Sequence, residues 1–350
     1  SADYALNLRP GVTSISREAY DLHMLIMWIC VAIGVVVFGA IFVSILKHRK
    51  SKGAQPAQFH ESTTVEIIWT IIPFLILIGM AIPATKALVA MEDTSNSDLT
   101  IKVTGYQWKW GYDYIDDGVS FISSLATPKE QIYDMQEKGE NYLLEVDKPL
   151  VVPTNKKVRL LITASDVIHA WWVPDLGLKK DAIPGFVNEM WFQIDTEGTY
   201  RGQCAELCGK DHGYMPIVVI AKNEADYGKW LSAQKTASDA VAAADEREWE
   251  ISELLERGEK VYSGTCAACH QANGEGIPGA FPAIKDSAVA TGPAGDHLAL
   301  VMNGKAGTAM TAFAGQLSDV DLAAVVTYQR NAWGNNAGDL IQPAEVKAAR

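Results

Sequence analysis

Two stretches near the N-terminus carry no charge at all. Residues 22–46 and 67–85 contain no Asp, Glu, Lys or Arg. A hydrocarbon core of roughly 30 Å is crossed by about 20 helical residues, so the pair predicts a transmembrane hairpin with spans over about 22–46 and 66–90. Pro73 and Pro83 lie in the second span, where packed neighbouring helices make proline tolerable. Beyond position 92 the pattern shifts to apolar–polar alternation. DLTIKVTGYQWKWGYDY (98–114) reads as a strand, and YLLEVDKPLVV, KKVRLLITAS, NEMWFQID, GTYRGQC and MPIVVIA follow between Pro, Gly and Asp turns. Short strands at this spacing predict a small β-sandwich or barrel over 93–222. Residues 223–250 turn to Ala, Asp and Glu, which predicts a helical, solvent-washed linker. In 251–350 two helical patterns, EISELLERGEKVYSG and SDVDLAAVVTYQRNAW, flank a Gly/Pro-rich middle with no strand pattern. The expected fold is a multi-domain membrane protein: an N-terminal segment and two-helix transmembrane hairpin (1–92), a β-barrel domain, a linker, and an all-α domain.

Charge orients this plan. The loop between the two runs begins Lys47, His48, Arg49, Lys50, Ser51, Lys52, and such a basic cluster marks the cytoplasmic side. Both termini, and everything beyond the second span, are then expected on the opposite, periplasmic face. The start at Ser1 is read as that of a processed export product. The net charge of −12 argues against nucleic acid as a partner. It suits a basic protein partner drawn in by a long-range field, although acidic surface is equally plain soluble surface.

The all-α domain carries Cys266-Ala-Ala-Cys269-His270, the haem c attachment signature. Two thiols at this spacing add to the two vinyl groups on one porphyrin edge, and the next histidine reaches the iron. A redox CxxC would follow a strand in a βαβ unit, and no such pattern is present. Met310, in the Gly-rich NGKAGTAMTAF before the last helix, is the expected sixth ligand. Its competitors are Met302, inside the apolar run HLALVM, and His297, which opens the same run. A His/Met pair raises the reduction potential and leaves no open coordination position, the mark of an electron carrier. Over roughly 251–335 the chain resembles class I c-type cytochromes, with Tyr328 on the closing helix.

The β-domain carries CAELCGKDHGYM (204–215). Two exported cysteines four apart suggest a disulfide, and spacing alone also leaves zinc open. Cys208, His212 and Met215, however, form the thiolate, imidazole and thioether loop of a copper electron-transfer site. A mononuclear copper needs one cysteine, whereas two thiolates can bridge two coppers. Each copper then needs a histidine, and between 95 and 222 only His169, in DVIHAWWVPDLG, joins His212. Met215 and a backbone carbonyl, which Glu206 can supply, would complete the two coordination spheres.

With VEIIWTIIP, GYQWKWGYDY, DVIHAWWVPDLGLKKDAIPG and CAELCGKDHGYMPIVV together, the chain resembles subunit II of cytochrome c oxidase in its bacterial form with a C-terminally fused cytochrome c domain. That resemblance implies a cupredoxin β-barrel holding a dinuclear copper (CuA) centre, with ligands His169, Cys204, Glu206 (carbonyl oxygen), Cys208, His212 and Met215. It implies that Trp108 accepts electrons into the copper. The Glu206 side chain would help bind a magnesium ion shared with subunit I, and Glu66 would mark the mouth of a proton-uptake path. The implied function is electron transfer in a proton-pumping cytochrome c oxidase, from an external c-type cytochrome or a cytochrome bc complex to subunit I. Subunit III, membrane lipid and the bacterial inner membrane complete the expected setting. His23, His48 and His60 cannot hold further haems and a copper, so oxygen reduction is expected outside this chain. The alternatives are a membrane-anchored electron shuttle and a copper-containing subunit of another terminal reductase. Nitrous oxide reductase would require a histidine-rich second copper cluster, which seven histidines do not supply.

Overall fold

The structure is a computed structural model that describes residues 6–55, 58 and 60–350. Ser1, on which the reading of a processed N-terminus rests, lies outside the described residues. The chain forms two compact units, Ser1–Gly228 and Lys229–Arg350.

In the first unit, helices α1 (Ser14–Lys47) and α2 (Thr63–Glu92) pack side by side. Along most of their length they present bare apolar side chains, including Trp28, Phe38, Phe42, Trp69 and Phe74. Two helices clad in exposed aromatic and aliphatic groups are stable only against lipid, which satisfies no backbone group and so demands helices. α1 starts on a capping box, in which Thr13 Oγ1 accepts from Ser16 N–H and Ser16 Oγ accepts from Thr13 N–H. The same ends grip the β-domain. Thr13 bridges Ile194, Val12 N–H donates to Asp175 O at 3.1 Å, and Trp191 Nε1–H donates to Ala90 O at 3.1 Å.

The β-domain consists of β1 (Leu99–Tyr106), β2 (Lys109–Tyr114), β3 (Val119–Ser123), a single turn α3 (Lys129–Ile132), β4 (Leu150–Pro153), β5 (Val158–Ala164), β6 (His169–Val173), β7 (Leu178–Ala182), β8 (Asn188–Phe192), β9 (Gly198–Cys204) and β10 (Pro216–Lys222). They make two five-stranded sheets, ordered β3-β2-β1-β5-β8 and β4-β10-β9-β6-β7. The β1/β5 and β4/β10 pairs are parallel and the rest antiparallel. Aromatic rings tie the sheets together: Trp171 stacks on Phe192 at 6.3 Å and donates Nε1–H to Tyr112 Oη at 3.3 Å.

Three details depart from the sequence reading. DLTIKVTGYQWKWGYDY is two strands, with Tyr106 paired to Lys109 across a tight turn at Gln107 and Trp108. The buried positions change parity there, from Ile101 and Val103 to Trp110, Tyr112 and Tyr114. That slip was the available sign of a turn. YLLEVDKPLVV is extended only from Leu150, because Leu143 takes φ +60 and turns the chain. VSFIS, HAWWV and LKKDA are strands that the alternation did not single out.

Helix α4 (Glu224–Glu246) carries the chain into the second unit, which is built from α5 (Ile251–Thr265), α6 (Ala267–His270), α7 (Ala288–Thr291), α8 (Ala294–Asn303), α9 (Asp319–Asn331) and α10 (Pro343–Ala349). Its centre is the crossing of α5 and α9. A Cβ on Gly258 would lie 2.1 Å from Ala324 O, so backbone meets backbone at that point. Tyr262, Tyr328 and Trp333 close one side, with ring centroids 4.7 to 5.7 Å apart. Met302 and His297 are buried on α8. Burial, with the Arg330 charge second, holds the His297 imidazole down to about 4.

Gly258→Ala tests the crossing. Alanine should gain about 1 kcal/mol of helix propensity, whereas overpacking costs roughly 1–3 kcal/mol. With no room for the methyl group, net destabilisation is expected as a lower denaturant midpoint, and an unchanged midpoint would contradict the close contact. A second prediction concerns acid. The unfolded chain binds a proton at His297 below its ordinary value of 6.5, and the folded chain resists until about 4. Stability is therefore lost as pH falls through that window, by on the order of 3 kcal/mol. Urea titrations at the two ends of the window should show a smaller acid loss in His297→Leu than in the native chain. Equal losses would refute the assignment to His297.

Candidate metal centre and haem site

The order of strands explains why distant residues meet. β9 ends at Cys204 and pairs with β10, so residues 205–215 form a connecting loop at one end of that sheet. The loop carries Cys208, His212 on a 3-10 turn, and Met215 just before β10. β6 lies on the other side of β9, with Trp171 opposite Cys204, which brings His169 to the same end.

The donor atoms converge. Cys204 Sγ lies 3.8 Å from Cys208 Sγ, 3.9 Å from His169 Nδ1 and 3.3 Å from the Glu206 carbonyl oxygen. Cys208 Sγ lies 3.4 Å from His212 Nδ1 and 3.5 Å from Met215 Sδ. All four of His169, Cys204, Cys208 and Met215 are buried, whereas the Glu206 side chain points into solvent. Neither cysteine is in a disulfide. Burial, with the neighbouring Cys204 second, pushes the Cys208 thiol up to about 12. Burial opposes ionisation of Cys204 as well, but hydrogen bonds from His169 and the backbone outweigh it and lower that thiol. Two adjacent buried thiolates thus require cationic charge between them, which a metal supplies while deprotonating the thiol outright. Two soft sulfurs, two imidazole nitrogens, a thioether and a carbonyl fit copper; a structural zinc site has no use for the last two.

Other residues hold these donors in place, and sequence reasoning passed over most of them. His169 Nε2 bonds Asp166 Oδ1 at 2.9 Å, leaving Nδ1 toward the sulfurs. Asp166 is itself fixed by Gln107 N–H at 2.7 Å. A carboxylate behind a ligating imidazole sets its tautomer and basicity, and the D-x-x-H spacing in DVIH was the visible signal. Gly105 leaves room for the imidazole, since a Cβ there would lie 2.8 Å from His169 Cδ2. Trp108 Nε1–H and Gln107 Nε2–H both donate to Cys208 O, at 3.2 and 2.9 Å, and Trp110 Nε1–H donates to Met215 O at 3.3 Å. Half-buried Trp108 thus touches the metal loop directly. Glu66 stands exposed in the first turn of α2, away from this site.

In the helical unit Cys266 caps α5, and Cys269 and His270 follow on α6. His270 Nδ1 bonds Pro282 O at 2.8 Å, so that Nε2 is the nitrogen left for iron. This orientation and the two thiols fit a covalent haem. Met310 lies partly exposed in the turn after α8, where Lys305 N–H donates to Met310 O at 2.9 Å. Gly304, at φ +68, permits that turn, because a Cβ would meet Met310 O at 2.4 Å. Met302 sits instead in the buried core with Tyr262 and Val326.

Known families match three parts of the chain. Family models match residues 99–222 (cytochrome c oxidase subunit II, periplasmic domain), 1–87 (cytochrome c oxidase subunit II, transmembrane domain) and 253–328 (cytochrome c oxidase, cbb3-type, subunit III). A probable cytochrome c oxidase subunit 2 of Rickettsia prowazekii is 39% identical over 236 residues, 67% of this chain and 74% of that one. Cytochrome c oxidase subunit 2 of Cereibacter sphaeroides is 36% identical over 64% of this chain and 78% of that one. The crystal structure of the periplasmic domain of subunit II of the Bradyrhizobium japonicum oxidase aligns with 41% of this chain and 98% of that one, at 42% identity and a TM-score of 0.37. With its membrane hairpin, its sulfur-rich loop and its haem-attachment motif each in place, the chain belongs to the cytochrome c oxidase subunit II family.

Proposed function

We propose that His169, Cys204, the Glu206 carbonyl, Cys208, His212 and Met215 hold a dinuclear copper (CuA) centre, and that Cys266 and Cys269 carry a haem c with His270 and Met310 as axial ligands. The observation that carries this reading is the convergence of five soft or imidazole donors at one strand end, with Cys204 and Cys208 sulfurs 3.8 Å apart. Copper and haem supply one-electron redox chemistry when bound. The chain's own residues do the rest. Asp166 orients His169, the Trp108 and Gln107 N–H groups pin the Cys208 carbonyl, and burial keeps water from the sulfurs.

In this role the chain conveys electrons from an external c-type cytochrome, or a cytochrome bc complex, toward subunit I of a proton-pumping oxidase. Trp108, hydrogen-bonded to the copper loop and half exposed, is where electrons would be accepted. Glu206 turns its carbonyl inward and its carboxylate outward, which suits a second metal, magnesium, shared with subunit I. Glu66 at the start of α2 would stand at the mouth of a proton path in subunit I. Subunit III and membrane lipid would flank the hairpin. The basic loop at 47–52 supports a periplasmic side for the soluble domains, in a bacterial inner membrane. Functional boundaries at 93, 223 and 251 would separate hairpin, copper domain, linker and haem domain.

Metal analysis with electron paramagnetic resonance on the purified oxidase tests the copper assignment. Two coppers on this chain sharing one unpaired electron are expected, beside a covalent c-type haem. A single-copper hyperfine pattern, or zinc in place of copper, would overturn it. Asp166→Asn keeps the size of the side chain and removes its charge. A 10- to 100-fold weaker retention of copper against a chelator is expected, the usual effect of losing such an outer partner. Retention equal to the native chain would show that Asp166 has no hold on the centre.

A further inference from the structure

Helix α9 is the most deeply buried element of the haem domain. Val320, Leu322, Ala323, Ala324, Val325 and Val326 are all fully enclosed. Gln329 lies on the same helix, 2% exposed. A buried amide without partners is destabilising by about 1–3 kcal/mol, so a glutamine in such a place needs an account. Its Nε2–H has one partner, the sulfur of Cys266, at 3.7 Å. Its Oε1 makes no close hydrogen bond among the described residues, and neither does Nδ1 of His297, itself 3% exposed, although the two side chains lie near enough for the amide to act on the imidazole. The neighbouring Arg330 is occupied by Ala290 O, Gly292 O and the Asp339 carboxylate. One enclosed amide donor is therefore aimed at one of the two haem-bearing sulfurs, itself half-buried against the core.

We propose that Gln329 is a positioning residue for the Cys266 sulfur, and that its N–H dipole biases the haem attached there toward the reduced state. The inference rests on the reading of Cys266 and Cys269 as haem-bearing. The physical reason is electrostatic. The positive end of the amide dipole faces the sulfur, which joins the macrocycle edge once the thioether is made. Added electron density on the haem is favoured by that dipole, which is weakly screened because the amide itself is enclosed. An apolar residue of the same length removes the dipole without admitting water, because the position is already enclosed.

The test is a spectroelectrochemical titration of the c-type haem band in the intact oxidase, comparing the native chain with Gln329→Met and Gln329→Glu. At a fixed ambient potential the reduced-to-oxidised ratio should fall roughly tenfold in Gln329→Met, which for one electron is about 59 mV. Gln329→Glu, which keeps an acceptor and loses the amide, should fall at least as far, while the copper signal stays put. An unchanged or raised haem potential in Gln329→Met, with covalent haem intact, would overturn the proposal. Peptide masses that show haem on Cys269 but a free Cys266 in Gln329→Met would support the positioning role directly. Should neither variant accumulate, the native protein still decides. Its thioether C–S Raman band should shift on full exchange into deuterated water, and a band that ignores exchange refutes the N–H···S bond. A native chain with no covalent haem would instead defeat the haem reading itself, and is told apart by the first spectrum.

Discussion

Two sulfurs held 3.8 Å apart in a buried pocket are the constraint on which the copper domain turns. Left as thiolates they repel in a medium that screens poorly. Left as thiols they are ordinary core atoms with no function. The domain resolves this by surrounding them with groups that suit a cation: two imidazoles, a thioether and a carbonyl. It then locks each of those groups from behind. Asp166 holds His169, Gln107 and Trp108 hold the Cys208 carbonyl, and Trp110 holds the Met215 carbonyl. Nearly all the locks come from one place, the hairpin of β1 and β2, so the aromatic stretch GYQWKWGYDY is the scaffold of the site rather than a separate feature.

The same logic extends downward to the membrane helices. α1 begins and α2 ends on loops of the copper domain, through the Thr13–Ile194 bridge, the Val12–Asp175 bond and the Trp191–Ala90 bond. Lys157 adds bonds to the carbonyls of Asp93 and Ser95 at the foot of the first strand. Two of these contacts join backbone to backbone and three run from a side chain to a carbonyl, while the exposed ion pairs of Arg17 with Asp195 and Lys180 with Glu92 at the same junction add little. A redox centre that must deliver electrons to a partner embedded in the bilayer gains from such a junction, because its height above the membrane is then set by covalent geometry and hydrogen bonds.

Much of this was legible in the sequence, for reasons that differ by element. The hairpin announced itself because lipid tolerates no charge. The haem motif did so because covalent attachment demands a fixed spacing. The convergence of donors in the β-domain was legible because a scarcity of histidine singled out His169. What stayed hidden was whatever depends on tertiary placement. Asp166 looked like one acid among 42 Asp and Glu residues until the fold set it behind an imidazole. Gly105 was one residue within a stretch read as a strand, and it is the space into which His169 fits. The turn at Gln107 and Trp108 hid inside a continuous alternation, betrayed only by a one-residue slip of the buried face.

The two redox sites also answer a common demand in different ways. Electrons must reach a centre from outside, so it cannot lie deep, yet water near it weakens every electrostatic effect that tunes it. The β-domain separates the two requirements. Its sulfurs are buried, while the rings of Trp108, which hydrogen-bonds the loop, and of His212 are half-exposed. The helical domain does not separate them in that fashion. His270 and Met310 are themselves partly exposed, and only the thioether side, at Cys266, is backed by the enclosed face of α9. The haem domain therefore makes its enclosed contact from behind, through α9, whereas the copper loop is held from the side of the β1–β2 hairpin.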